Sequence, residues 1–289
     1  MSKLLAWCGL LVLLPVSLAV LQDGFLSVSE LSDGGKGVRV DDEELALSRA
    51  IELRTELFLE SPRIYTAEHF LSDAECEYLM KHGEPHLQQS LTIDRDTGEY
   101  KPDSVRTNQQ MYVTPEDCVS DPVISRIIRR LHRFARVPLG HAEQLQIGRY
   151  RVGEKYECHF DSEVMVNIVR PATVIVYLAD VPAGGETIFP LGETCGSMDR
   201  QSRCCNTSLS HTSVKQIHPK KGKAILFHTH DPDGKRNELS LHGSCPVLEG
   251  EKWLIQAWFR STFYADSPHY NLFQQEEVDE MERDVPAEL

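Results

Sequence analysis

The stretch YECHFDSE, residues 156–163, sets a histidine and an aspartate two positions apart with a cysteine beside them. In a β-strand, residues i and i+2 point to the same side. His159 and Asp161 can therefore offer one imidazole and one carboxylate to a common point. A second histidine from far along the chain would complete a facial triad, which holds Fe(II) and leaves its opposite face open for substrate and dioxygen. His-x-Asp alone is a short pattern that arises by chance, and a hydrogen-bonded surface histidine is its ordinary explanation. Distal partners are available at His211, His218, His228, His230 and His242. His228 and His230 repeat the i, i+2 spacing. His242 stands in LSLHGSCPVLEGEKWLIQAWFR, just before a turn and a strong strand, and Lys252 follows ten residues later where that strand starts. A lysine beside an otherwise apolar site suits a dicarboxylate cosubstrate; a solvated strand-end lysine is the alternative. Cys158 is either a bystander or an oxidation-sensitive thiol next to a metal. A structural zinc site has no Cys-x-x-Cys pair to build on.

These residues need elements to position them. FLSDAECEYLMKHG carries a capping box, Ser72 to Glu75, with Gly83 as a stop. SDPVISRIIRRLHRFARVP puts Val123, Ile124, Ile127, Ile128, Leu131 and Phe134 on one helical face behind an Asp121-Pro122 start. The texture then changes. EQLQIGRYRVG, TVIVYLAD, KAILFHTH and WLIQAWFRS are short, β-branched or aromatic, and bounded by Gly, Pro or Asp. Helices followed by strands indicate an α+β protein, mainly β, with helices buttressing a barrel or sandwich. Gly184-Gly185 and FPLGETCGSM read as loops at the barrel mouth, able to close over an extended proline-rich peptide.

At 289 residues, 41% hydrophobic and 26% charged, the chain suits a globular protein with a full core. A net charge of −14 disfavours nucleic-acid binding. Residues 1–21, with Lys3 ahead of an apolar run from Leu4 to Leu21, read as a cleaved secretory signal or a retained signal anchor. That leader predicts the secretory pathway and, for some of the eight cysteines, disulfides. Asn206-Thr207-Ser208 is a glycosylation sequon in agreement with it. Residues 22–60 read as an acidic linker and helix, 62–262 as the folded unit, and 263–289 as an acidic, solvated or loosely helical tail.

Taken together, the order His-x-Asp, distant His, Lys at +10 resembles the 2-oxoglutarate and Fe(II)-dependent dioxygenases. More narrowly, it resembles the prolyl 4-hydroxylases of the short plant and algal type. PRIYTAEHFLSDAECEYLMKHGEPHL, SVRTNQQMYV, GRYRVGEKYECHFD, ATVIVYLADVPAGGETIFP, HPKKGKAILFHTHDPDG and SLHGSCPVLEGEKWLIQAWFR all look like that family, in its order, over about residues 62–262. The resemblance implies a double-stranded β-helix (jelly roll) core at about 143–262 with supporting helices. It implies iron ligands His159, Asp161 and His242, with Lys252 on the distal carboxylate of 2-oxoglutarate. Tyr150 matches the family's tyrosine on the preceding strand, and Thr173 and Trp258 match cosubstrate-pocket positions. It also implies a bridge from Cys204 or Cys205 to Cys245, ascorbate as reductant, and hydroxylation of a proline-rich or collagen-like polypeptide at proline C4. The endoplasmic reticulum is the implied compartment. Two features depart from the pattern. Ser162-Glu163-Val164 stand where aromatics are usual, and Cys158 stands where proline is common. A related lysyl or other hydroxylase, and a non-catalytic peptide-binding relative, are the rival readings.

Overall fold

In the computed structural model the described residues are 54–93, 99–162, 169–190, 205, 214–263 and 267. All belong to one unit, Val40–Leu289. The leader, the sequon at Asn206, Cys204, His211 and most of the tail lie outside them. Among the described residues no helix is long and apolar enough to cross a membrane.

A major sheet of eight strands runs in the order Thr55–Leu59, Ile64–Ala67, Ala224–His228, Ala172–Tyr177, Lys252–Phe259, Gln146–Tyr150, Gln109–Tyr112, Gln88–Gln89. A minor sheet of four runs Val214–Ile217, Thr187–Pro190, His242–Ser244, Tyr156–His159. Every strand pairing is antiparallel. Alternation along the strands separates two cores. On the central strand Trp253, Ile255, Ala257 and Phe259 join the helical core, whereas Leu254 joins the core between the sheets. Ile225 and Phe227 turn inward with Leu254 to meet Phe189 and Ile217 of the minor sheet. The central strand is covered on both faces, which is why KWLIQAWF reads as an apolar run with few breaks.

Helices form the outer layer. Asp73–Gly83 starts on the capping box read from the sequence: Ser72 Oγ accepts from Glu75 N (3.2 Å) and Glu75 Oε2 accepts from Ser72 N (2.9 Å). The same glutamate takes a bidentate bond from buried Arg130 (2.8 and 3.0 Å) on Pro122–Ala135, so the cap also joins the two helices. Asp121 caps Pro122–Ala135 by accepting from Val123 N and Ile124 N. Ile124, Ile127, Ile128 and Leu131 of that helix are fully or almost fully buried against the sheet.

Three sequence readings change. Gly83 does not stop its helix in a left-handed cap; its backbone is right-handed and a 3₁₀ turn, Glu84–His86, follows. It is glycine because a Cβ there would lie 2.9 Å from Ile147 Cγ2, where helix meets sheet. The boundary at residue 62 falls inside the major sheet, since Thr55–Leu59 is its edge strand, so strands precede the helices as well as follow them. Gly184 and Gly185 are not mouth loops. Gly184, with φ +76°, presses on the 246–248 backbone, and Gly185 packs on the stem of Lys252. The segments 191–204 and 206–213 lie outside the described residues.

Ile127 is fully buried between helix and sheet. Ile127→Ala is expected to cost about 2–5 kcal/mol, measured as a lower urea midpoint; a loss under about 1 kcal/mol would contradict this packing.

Candidate metal and cosubstrate site

Strand register builds the site. His242 and His159 are directly opposed Cα partners on neighbouring antiparallel strands, which brings their rings to a centroid distance of 4.4 Å. Asp161 follows two residues after His159, just past the strand end. Its Oδ1 lies 3.6 Å from His159 Nε2 and 3.7 Å from His242 Nε2. One donor atom from each of the three residues falls within 4.8 Å of the others, the only such group of metal-ligating side chains among the described residues. The His159 side chain is 19% exposed, while Asp161 and His242 are at 2% and 3%, so access is from the His159 side.

Both rings are oriented from behind. His159 Nδ1 lies 2.8 Å from the Glu157 carbonyl and His242 Nδ1 3.0 Å from the Ser240 carbonyl. A carbonyl only accepts, so each Nδ1 carries a proton, which leaves Nε2 as the ligating nitrogen of the neutral ring. Burial pushes His242 down to about 4, against the pull of Asp161. Burial alone would raise the Asp161 carboxyl, but His242, His159 and the Thr173 hydroxyl hold it well below the usual carboxylate range. A neutral imidazole and an ionised carboxylate thus face each other with no proton between them, and His242 Nε2 is buried without a hydrogen-bond partner. That orphaned acceptor, in a two-imidazole, one-carboxylate set, fits a divalent iron.

The supporting shell includes residues that sequence reading missed. Thr173, expected in the cosubstrate pocket, donates from Oγ1 to Asp161 Oδ2 at 2.6 Å and so orients a metal-ligating carboxylate. Arg170 donates from Nη1 to the Asp161 carbonyl (2.9 Å) while paired bidentately with Glu143 (2.7 and 2.7 Å). Its guanidinium lies 4.8 Å from the Trp258 ring, and Trp258 is the cross-strand partner of Thr173. Tyr156 stacks on His159 at 3.7 Å, and Arg106 lies 4.6 Å over Tyr156. Arg106, Arg170 and Glu143 carry no local sequence signal; only the fold brings them here.

Lys252 is fully buried. Its Nζ donates to Ser244 Oγ (2.8 Å) and lies 5.3 and 5.5 Å from the Tyr150 and Tyr177 rings. Ser244 is two residues beyond His242 on one strand, which sets the amine's hydrogen-bond partner about 7 Å along the strand from the metal-ligating histidine. Burial pushes the amine down to about 7, opposed by Glu186. Among the described residues no carboxylate pairs with it, so an incoming anion would favour the charged form of the amine. Burial raises the Tyr150 phenol to about 12, keeping it a hydrogen-bond donor.

The competing histidines are engaged elsewhere: His218 with the Val181 carbonyl, His228 with Arg63 and His230 with Thr229. Cys158 faces away from the triad and packs with Ile188, Val214 and Cys245 on the outer side of the minor sheet. Of the two cysteines considered, Cys205 bonds Cys245. Ser162 exchanges hydrogen bonds with the Arg170 backbone (2.9 and 3.1 Å), whereas Glu163 and Val164 lie outside the described residues.

A model of the 2OG-Fe(II) oxygenase superfamily matches residues 145–260, which contain all of the triad and Lys252. Prolyl 4-hydroxylase 2 of Arabidopsis thaliana is 39% identical over 205 residues, covering 68% of this chain and 67% of that protein. The chain belongs to the prolyl 4-hydroxylase family. Prolyl 4-hydroxylase 1 of the same plant is 36% identical over 225 residues, 76% of each protein. Among solved structures, the 2OG complex of the viral collagen prolyl hydroxylase from Paramecium Bursaria Chlorella virus-1 is 25% identical. It covers 69% of this chain and 96% of that one, with a TM-score of 0.49. The sheets and helices described above are therefore the double-stranded β-helix of a prolyl 4-hydroxylase relative, with its supporting helices.

Thr173→Val removes the hydroxyl that orients Asp161. Metal affinity, titrated calorimetrically without oxygen, is expected to fall about 10–100-fold while the urea midpoint stays nearly unchanged. Wild-type affinity in this variant would remove Thr173 from the site.

Proposed function

We propose that this protein hydroxylates peptidyl proline at C4, using Fe(II), dioxygen and 2-oxoglutarate and releasing succinate and carbon dioxide. The observation that carries the reading is the His159–Asp161–His242 cluster, two of its three members buried, whose strand also supplies Ser244, the hydrogen-bond partner of buried Lys252. When bound, Fe(II) supplies the redox chemistry that couples decarboxylation of 2-oxoglutarate to insertion of one oxygen into a C–H bond.

The chain's own residues do the rest. His159, Asp161 and His242 hold the metal by Nε2, Oδ1 and Nε2, with the Nδ1 protons locked on backbone carbonyls. Lys252 takes the distal carboxylate of the cosubstrate, and Tyr150 stands beside it as a donor. Phe189 and Phe227 flank His242 and keep water from that side of the metal site. Substrate enters from the exposed His159 side, past Tyr156 and Arg106. A proline-rich or collagen-like segment, already extended as polyproline II, suits that opening and loses little entropy on binding. L-ascorbate is the reductant we assign for keeping the metal ferrous.

We place the protein in the lumen of the endoplasmic reticulum, by cleaved signal or retained anchor. The apolar leader, the sequon at Asn206 and the Cys205–Cys245 disulfide support that assignment, since disulfides persist in oxidising compartments.

Incubating the protein with proline-rich and collagen-like peptides, Fe(II), 2-oxoglutarate and ascorbate is expected to add one oxygen to proline, seen by mass spectrometry, with matching succinate. His242→Ala is the blank. Absence of product on every peptide, with metal bound, would end the claim.

Lys252 adds a pH signature. Its pKa of about 7 before the anion arrives means that cosubstrate binding takes up a proton at higher pH. Affinity for 2-oxoglutarate is expected to fall about tenfold per pH unit above 7. Lys252→Met should bind weakly with no such slope; a slope that persists would assign it to another group.

A further inference from the structure

Phe160 stands between the ligands His159 and Asp161, and a guanidinium covers its ring: Arg236 Cζ lies 4.2 Å from the ring centroid. Successive side chains of an extended chain point to opposite sides. Phe160 therefore turns away from the point that His159 and Asp161 share, and Arg236 holds the ligand-bearing segment from behind. Both residues are half-buried.

Arg236 is itself held in place. It closes a small hairpin, forming an antiparallel bridge with His230. Inside that hairpin Asp231 N donates to the Lys235 carbonyl (2.8 Å), and Gly234, with φ +82°, makes the turn. The next residue, Asn237, is buried; its Nδ2 donates to Asp231 Oδ1 (2.7 Å) and its N to the Thr229 carbonyl (2.9 Å).

The same guanidinium reaches toward the third ligand. Its Nε and Nη2 donate to Glu238 Oε1 at 3.0 and 2.8 Å. Glu238 opens the 3₁₀ turn Glu238–Ser240, whose last carbonyl takes the Nδ1 proton of His242 (3.0 Å). One planar cation thus touches the segment between two ligands and the turn that orients the third. The Glu238 side chain is 69% exposed, and an ion pair in such a place adds little stability. Arginine suits the double contact, because its weakly hydrated plane stacks on a ring while its edge donates to a carboxylate.

We propose that Arg236 is a positioning residue of the metal site, bracing the His159–Asp161 segment against the turn that precedes His242. The proposal rests on the reading of that site as an iron centre. Arg236 acts through Phe160 and Glu238, by fixing where the three donor atoms meet.

Calorimetric titration with Fe(II), without oxygen, tests the brace. Arg236→Gln is expected to weaken metal binding about fivefold, less than the roughly 10–100-fold loss from removing a partner bonded directly to a ligand. The urea midpoint of the metal-free protein should move little, since both contacts are partly exposed. Phe160→Leu should match it, and the double variant should be no worse than either alone, because both changes remove one contact. Arg236→Lys keeps a cation over the ring and should recover part of the loss. The ligand-field bands of the Co(II)-loaded protein should shift in Arg236→Gln and return toward wild type in Arg236→Lys. Wild-type affinity in Arg236→Gln, additive losses in the double variant, or a loss matched by a large drop in the urea midpoint would overturn the brace and leave the iron site standing. A wild-type chain that bound no Fe(II) would overturn the proposed function and the brace together.

Discussion

The opposition of His242 and His159 across two antiparallel strands is the constraint on which the rest of the structure depends. It points two Nε2 atoms at one carboxylate oxygen, at 3.6 and 3.7 Å, in a place almost closed to water. The neutral His242 nitrogen and the ionised carboxylate repel each other, and a buried acceptor without a donor is costly. Only a cation turns that repulsion into attraction. The two sheets hold the strands in register, the Glu157 and Ser240 carbonyls fix the tautomers, and Thr173 and Arg170 keep Asp161 from swinging away.

The opposite problem is posed at Lys252. There a single amine is buried between tyrosine rings, with a serine hydroxyl as its hydrogen-bond partner. An acceptor-rich corner and a donor-only corner therefore share one strand system, linked through His242 and Ser244. A molecule with metal-chelating oxygens at one end and a carboxylate at the other satisfies both. Neither corner is stable in isolation as a packed core, which is how a site stores its readiness to bind.

The helices act at a distance. Glu75 caps one helix and pairs with Arg130 of the next, so the outer layer is joined as a unit before it meets the sheet. Gly83 lets that layer approach Ile147, one residue from Gly148 and three from Tyr150 on the strand leading to the site.

The capping box, the helix behind Asp121, the four strong strands and the pair His159–Asp161 could be read directly, because each rests on spacing within one element. Resemblance to the prolyl 4-hydroxylases then singled out His242 and Lys252 and narrowed the bridge to two cysteines. Their meeting depends on pairing between strands some eighty residues apart, which local pattern does not encode. For the same reason Arg170, Glu143, Arg106 and Ser244 went unread: each is an ordinary polar residue until strands from elsewhere bring it to Asp161, Tyr156 or Lys252. Thr173 and Gly83 show the point from the other side. Their identities suggested a cosubstrate contact and a helix stop, and tertiary contact made them a carboxylate clamp and a close-approach point. Sequence alone determined the helix caps and one pair of ligand types, because these are matters of residue type and short spacing, and family resemblance supplied the expected rest of the set. The tertiary structure decided which residues make it up, because burial and strand register govern which lone pairs face a common point.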